Sequence, residues 1–328
     1  YYLALAVFVS HFNIFVDNPI WFPTTSYTAV GGFFALSGFL IYPSYLKSRN
    51  LKDYLLRRAK RILPSYIFIV LLCAFGLVFM STLPAKDYFF NPQWVRYLVS
   101  NLAMLNFMGS ELPGVFQDLP LHTVNGSLWT MKIEVMLYLS VPLVAAVVLK
   151  IHRRLRWCGP LCVCVAIYML SACYRLYFLH LFDVTDKAIY GLLAKQVFGQ
   201  LMYFYGGVFI YFIYDRFLKY RNAVLAACIL IMLVSDYMPY LFYRICILPA
   251  VVSCMVIYFS QFRFARIFNK NNVSYEMYLY HLPVLLVAYS FLGGKGLPEW
   301  VFFCIALACT LALSYVSWFL IGRNFMRR

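Results

Sequence analysis

An all-α, polytopic membrane protein of about ten transmembrane helices, both termini cytoplasmic, is what three observations predict. Of 328 residues, 64% are hydrophobic and 12% charged, against roughly 25% charged in an ordinary soluble domain. Apolar runs of roughly 20 residues, each able to cross about 30 Å of hydrocarbon as a helix, recur along the whole chain. The cations also segregate: the loops at 47–61, 150–156, 215–222, 261–272 and from 322 onward hold 20 of the 28 Lys and Arg, and the opposite loops five. Under the positive-inside rule the rich loops are cytoplasmic. The net charge of +16 therefore reflects topology, and nucleic acid is not an expected partner.

The first span, 1–16, is about 24 Å of helix at 1.5 Å per residue. That is short, so the natural chain is expected to begin before Tyr1; no cleavable signal peptide is expected, since no small-residue cleavage site follows. His11 lies in this span near its outer end, with Asn13 beside it and Asp17 just beyond. A membrane histidine has two equal readings: a general base oriented by a carboxylate, or a packing residue hydrogen-bonded to a neighbour.

The second span, 28–46, carries small residues at Gly31, Gly32, Ala35, Ser37 and Gly38. Such a stripe admits another backbone, the commoner use, or a ligand chain. Before the third span, 62–82, stand Arg57, Arg58, Lys60 and Arg61. Arg57 and Arg61 share a helix face and suit a phosphate, although clusters of this kind also bind acidic lipid heads.

The segment 83–126 is placed outside. Pro84, Pro92, Pro113, Gly114 and Pro120 break it up, and 94–107 reads as an amphipathic or re-entrant helix, with lid, acceptor platform and passive loop all open. A further span here would turn the later basic loops outward, against the charge bias.

The fourth span, 127–149, drives Lys132 and Glu134 into apolar surroundings. Each costs about 2.5 to 3.5 kcal/mol near a bilayer centre, so such charges face a cavity or a partner. Glu134 sits seven residues from Ser127, about 10 Å down its helix, a depth like that of His11. A structural ion pair with Lys132, Arg175 or Lys195 is the bland alternative, and the i, i+2 spacing weakens the first of these.

The remaining spans are 157–181, 192–214, 223–238, 245–260, 273–291 and 300–321. All ten cysteines lie in or beside spans, which argues against disulfides, and Cys158, Cys162 and Cys164 fit no zinc spacing, so no metal is expected. His281, five residues after Glu276, reads as structural; His122, His152 and His180 carry little weight. No internal repeat or linker appears, so residues 1–328 read as one domain.

The segments His11, Phe33-Phe34-Ala35-Leu36-Ser37-Gly38-Phe39, Arg57-Arg58-Ala59-Lys60-Arg61-Ile62-Leu63-Pro64-Ser65-Tyr66, Ser127-Leu128-Trp129 through Glu134, and Ser274-Tyr275 through His281 resemble, in order, five motifs of the acyltransferase-3 family. Its members are integral membrane acyltransferases that modify bacterial surface glycans. Many carry Glu-Glu where this chain has Glu134-Val135, and a small residue is frequent where Lys132 stands. The family's arginine, eleven positions before the histidine, would precede Tyr1.

The resemblance implies an acyl-CoA donor, most often acetyl-CoA, arriving from the cytoplasm. It implies a hydroxyl acceptor outside, on a surface glycan or lipid-linked sugar, with lipopolysaccharide O-antigen, capsule, exopolysaccharide and peptidoglycan sugar all open. On it, His11 and Glu134 are the catalytic candidates, and Arg57, Arg58, Lys60, Arg61 and Tyr66 the CoA-side contacts. Gly32, Ser37 and Gly38 line the pantetheine path; Asn13, Ser127, Trp129 and Lys132 face the acceptor. The bacterial inner membrane is the expected site, its lipids the surroundings, and a homo-oligomer fits equally. The rivals are a transporter or flippase built on the intramembrane charges, and a sensor that keeps the scaffold without turnover.

Overall fold

The computed structural model describes residues 1–155, 158–262, 273–293 and 295–326. Arg263, Arg266, Lys270, Arg327 and Arg328, and the side chains of His152, Arg153 and Arg154, lie outside the described residues. Among the described residues every regular element is helical, apart from one isolated bridge between Ser81 and Val115. The main helices are α1 (Tyr2–Phe12), α2 (Ser26–Leu46), α3 (Leu51–Gly76), α4 (Ala85–Phe89), α5 (Pro92–Leu102), α6 (Trp129–Leu155) and α7 (Cys158–Thr185). After them come α8 (Ala188–Ala194), α9 (Val197–Phe212), α10 (Tyr214–Leu233), α11 (Leu248–Ser260), α12 (Ser274–Leu292) and α13 (Glu299–Ser317).

Among the described residues, six stretches are long and apolar enough to cross a membrane: Ser26–Leu46, Leu51–Met80, Gly126–Ile151, Cys158–Thr185, Tyr240–Ser260 and Glu299–Phe325. A seventh arises if Ala188–Phe212 and Tyr214–Leu233, bent by 109°, form one span. The ten apolar runs of the sequence thus resolve unevenly. The first is only the short α1, and α12 is a full-length helix whose tyrosines, Glu276 and His281 lower its hydropathy.

The chain divides into two compact units. One comprises Tyr1–Ala29, Leu55–Lys132 and Asn271–Arg328. Here α1 packs on α12 and α12 on α13. Phe8 and Phe12 of α1 meet the rings of Phe302 and Phe303 at 5.1–5.5 Å, separations at which offset and edge-on aromatic contacts are favourable. In the segment 83–126, Asn91 caps α5 by accepting from the Gln93 backbone N–H, with Pro92 at the first helical position. The Ala74 carbonyl, two residues from the end of α3, receives Tyr88 Oη–H and Trp94 Nε1–H at 2.9 and 2.8 Å. The last carbonyls of a helix have no intrahelical donor, so these two aromatics fasten this segment to the end of α3.

The other unit comprises Val30–Tyr54 and Ile133–Lys270. Its α2 and α9 touch backbone to backbone. A Cβ on Gly38 would stand 1.9 Å from the Phe204 carbonyl oxygen, and one on Gly207 the same distance from that of Ala35. The small-residue stripe of α2 is therefore used for helix packing at Gly38, where α9 lies backbone to backbone against it.

Two prolines inside helices explain otherwise isolated hydrogen bonds. A proline has no N–H to give the carbonyl four residues earlier, and inside a membrane that carbonyl must find another donor. Pro142 frees the Tyr138 carbonyl, and buried Tyr54 donates its hydroxyl there at 2.9 Å. Pro283 frees the Leu279 carbonyl, and Asn125 Nδ2 donates to it at 2.9 Å.

Candidate active site

The Asn125–Leu279 bond docks the turn Gly126–Leu128, just before α6, against the middle of α12. The Ser127 carbonyl receives the hydroxyls of Thr130 and Tyr278 at 3.0 and 3.1 Å. Asn106 donates to the Asn125 carbonyl at 3.4 Å and to Asn101 Oδ1 at 2.8 Å. These buried amides and hydroxyls hold Ser127 Oγ 3.2 Å from His281 Nε2.

His281 is buried to 1% exposure. Its Nδ1 lies 2.7 Å from the Tyr278 carbonyl oxygen, and its Nε2 lies 2.9 Å from His11 Nδ1. The rings are 4.9 Å apart, centroid to centroid. His11 Nδ1 is also 3.1 Å from the Val7 carbonyl, one turn back in α1.

These contacts fix both tautomers. A carbonyl only accepts, so His281 carries its proton on Nδ1 and offers a lone pair at Nε2. His11 Nδ1 faces that lone pair and a carbonyl, so it carries the proton of its own ring. The lone pair of His11 is then on Nε2, which has no hydrogen-bond partner among the described residues, in a ring that is half-buried. An open imidazole nitrogen on a tethered ring is what a general base requires.

Each of the other candidates has its own surroundings within its unit. Glu134 belongs to the second unit, where its carboxylate accepts from Tyr138 Oη. Within its own unit the polar partner of His11 is His281, a residue whose sequence context reads as structural. Lys132, in the first unit, holds its ammonium 4.9 Å from the Phe107 ring centroid and has no ion pair among the described residues. Asn13 uses both ends of its amide on Ile20, at 2.9 Å each, so it folds the loop after α1. Trp129 opens α6 half-buried, Gly32 is buried, and Ser37 is half-buried.

The basic cluster also divides. Arg57 is exposed, Arg58 and Lys60 half-buried. Arg61 turns inward, its guanidinium 5.7 and 5.8 Å from the Tyr275 and Trp318 rings. Beside it Glu276 is buried, with one oxygen 3.4 Å from Ser65 Oγ and the other without a hydrogen-bond partner among the described residues. Tyr66 is buried, and its hydroxyl donates to the Asn101 carbonyl at 2.6 Å, so it braces the segment that holds α5. Among the described residues no three or more His, Cys, Asp or Glu groups are placed to hold a metal ion.

The fold defines a multi-pass helical membrane protein, and its candidate site is a histidine held at Nδ1 with Nε2 open. A family model for an acyltransferase domain matches residues 2–319. The chain belongs to the acyltransferase-3 family. It is similar to Nodulation protein 10 of Rhizobium leguminosarum bv. viciae, 24% identical over 325 residues, covering 90% of this chain and 81% of that protein. It is also similar to an O-acetyl transferase of Shigella phage Sf6, 30% identical over 144 residues, 42% of this chain and 41% of that protein. No solved structure matches.

Proposed function

We propose that the protein is a membrane O-acyltransferase that moves an acetyl group from acetyl-CoA on the cytoplasmic side to a hydroxyl of a cell-surface glycan on the outer side of the bacterial inner membrane. The observation that carries this reading is the open Nε2 of His11 on a ring whose Nδ1 is tethered. The family supports acyl transfer, and the name of the phage relative supports acetyl as the group. The charge bias of the loops supports ten spans, cytoplasmic termini and an external 83–126.

In this mechanism His11 Nε2 takes the proton of the acceptor hydroxyl as its oxygen attacks the thioester carbonyl. The tetrahedral intermediate collapses by breaking the C–S bond, and the proton on His11 passes to the departing CoA thiolate. No enzyme nucleophile is required. Arg57, Arg58 and Lys60 are the groups that suit the CoA phosphates, since cations forming charge-assisted hydrogen bonds bind them best where accessible.

Mass spectrometry of surface glycans from cells with and without the protein tests the reading. An acetyl increment that depends on the protein and disappears with His11→Ala is expected. An increment retained by a normally folded His11→Ala protein refutes it.

A further inference from the structure

His281 takes no part in that proton transfer, yet it makes more polar contacts with the proposed base than any carboxylate of that unit. We infer that His281 is a positioning residue that locks the tautomer of His11, an inference that rests on the acyl-transfer reading. The order of protons runs in one direction. The Tyr278 carbonyl requires N–H at His281 Nδ1, 2.7 Å away. This leaves His281 Nε2 as an acceptor for His11 Nδ1–H at 2.9 Å. His11 then presents its lone pair at Nε2. Were His281 to carry its proton on Nε2, it would lose Tyr278 and confront the His11 Nδ1–H with another donor.

His281 is not itself the base. Its Nε2 is taken by His11 and by Ser127 Oγ at 3.2 Å, and the residue is 1% exposed, so no acceptor reaches it. A neutral ring also suits the place. A buried carboxylate would orient His11 equally well but would itself need desolvation, which is costly in this setting. When His11 takes a proton, its Nδ1–H bond to His281 becomes charge-assisted and shortens toward the stronger class of hydrogen bond. Ser127, fixed through its own carbonyl by Thr130 and Tyr278, meets the same Nε2 of the His281 ring and steadies it.

Two substitutions separate the acceptor position from mere volume. A Gln side chain has the same number of bonds to its terminal atoms as His has to Nε2, so His281→Gln places an amide oxygen where His11 Nδ1–H can still donate. Asn reaches only the Nδ1 position, so His281→Asn keeps a donor for Tyr278 and removes the acceptor for His11. With acetyl-CoA and an isolated glycan acceptor, His281→Asn is expected to lose about 10²-fold or more in kcat with KM for acetyl-CoA unchanged, the range that loss of an oriented base produces. His281→Gln is expected to retain at least tenfold more activity than His281→Asn. Equal kcat for the two variants, or a normally folded His281→Asn protein with wild-type kcat, overturns the inference.

The wild-type protein gives an independent reading. Nitrogen-15 spectra of histidine-labelled protein in detergent are expected to show His11 protonated at Nδ1 and bare at Nε2. Protonation at Nε2 overturns the lock whether or not the protein transfers acetyl groups. Absence of acetyl transfer together with the expected spectrum would instead refute the reaction and leave the proton order standing.

Discussion

Replacing Asn125 with Leu removes the donor that Pro283 makes necessary, while keeping a side chain of similar size. The Leu279 carbonyl would then be buried with neither an intrahelical N–H nor a side-chain donor. An unsatisfied buried carbonyl costs about 1–3 kcal/mol in water-soluble proteins, whereas interhelical hydrogen bonds in membranes average about 0.6 and reach about 1.7 kcal/mol. A loss of about 1–2 kcal/mol is therefore expected, roughly a 5- to 30-fold change in the folded ratio. In a Pro283→Ala background the new N–H at 283 can reach the Leu279 carbonyl within α12, and the cost of Asn125→Leu should fall below about 0.5 kcal/mol. Reversible unfolding in mixed micelles, followed by circular dichroism over all four members of the cycle, measures the coupling. If the two substitutions are additive within about 0.3–0.5 kcal/mol, the usual scatter for independent sites, then Asn125 does not answer the proline and the reasoning fails.

Four further outcomes are expected. Ser127→Ala should keep acetyl transfer within about tenfold of wild type, because Ser127 only steadies His281; a fall to the His11→Ala level in a glycan-acetylation assay would point to a covalent acyl-serine and against direct attack. Gly38→Ala should destabilise by about 1–3 kcal/mol or more, since its Cβ would meet the Phe204 carbonyl at 1.9 Å and α2 and α9 would have to part; an unchanged Tm in thermal unfolding would show that the contact yields freely. Arg57→Ala should raise KM for acetyl-CoA about tenfold without altering Tm. Arg61→Ala should cost about 0.5–2 kcal/mol of stability through loss of its aromatic contacts, and the reverse pattern in the two variants would exchange the roles assigned to them.

Hydropathy made most of the membrane helices legible because apolar runs of ~20 residues seldom occur outside a bilayer. It served least well where polar function enters. The run at 1–16 holds only an 11-residue helix, and α12 departs from the apolar norm because its buried face carries Glu276 and His281. The site candidate His11 was legible as a polar residue in an apolar helix. Its partner was not, because the contact joins residues 270 positions apart, and spacing along the chain says nothing about such pairs. One signal did exist. Pro283 frees the carbonyl of Leu279, so some donor had to dock within a turn of His281, and that region of α12 had to be a meeting point of elements. The same logic at Pro142 points to Tyr138, where Tyr54 arrives. Arg61 shows the opposite case. Its spacing from Arg57 matched a phosphate clamp, but rings distant in sequence draw it inward.

His11 stands one residue from the end of a short helix, where chains ordinarily fray. Here the following loop is closed by the paired amide bonds of Asn13 to Ile20 and anchored by Glu299, which accepts from the backbone N–H groups of Asp17 and Asn18 at 3.1 and 3.2 Å. The ordering entropy of His11 is thus met when the protein folds. If His11 is the base of the proposed transfer, an acceptor has only its own freedom to surrender at the encounter, which lowers the entropic part of the barrier for every turnover.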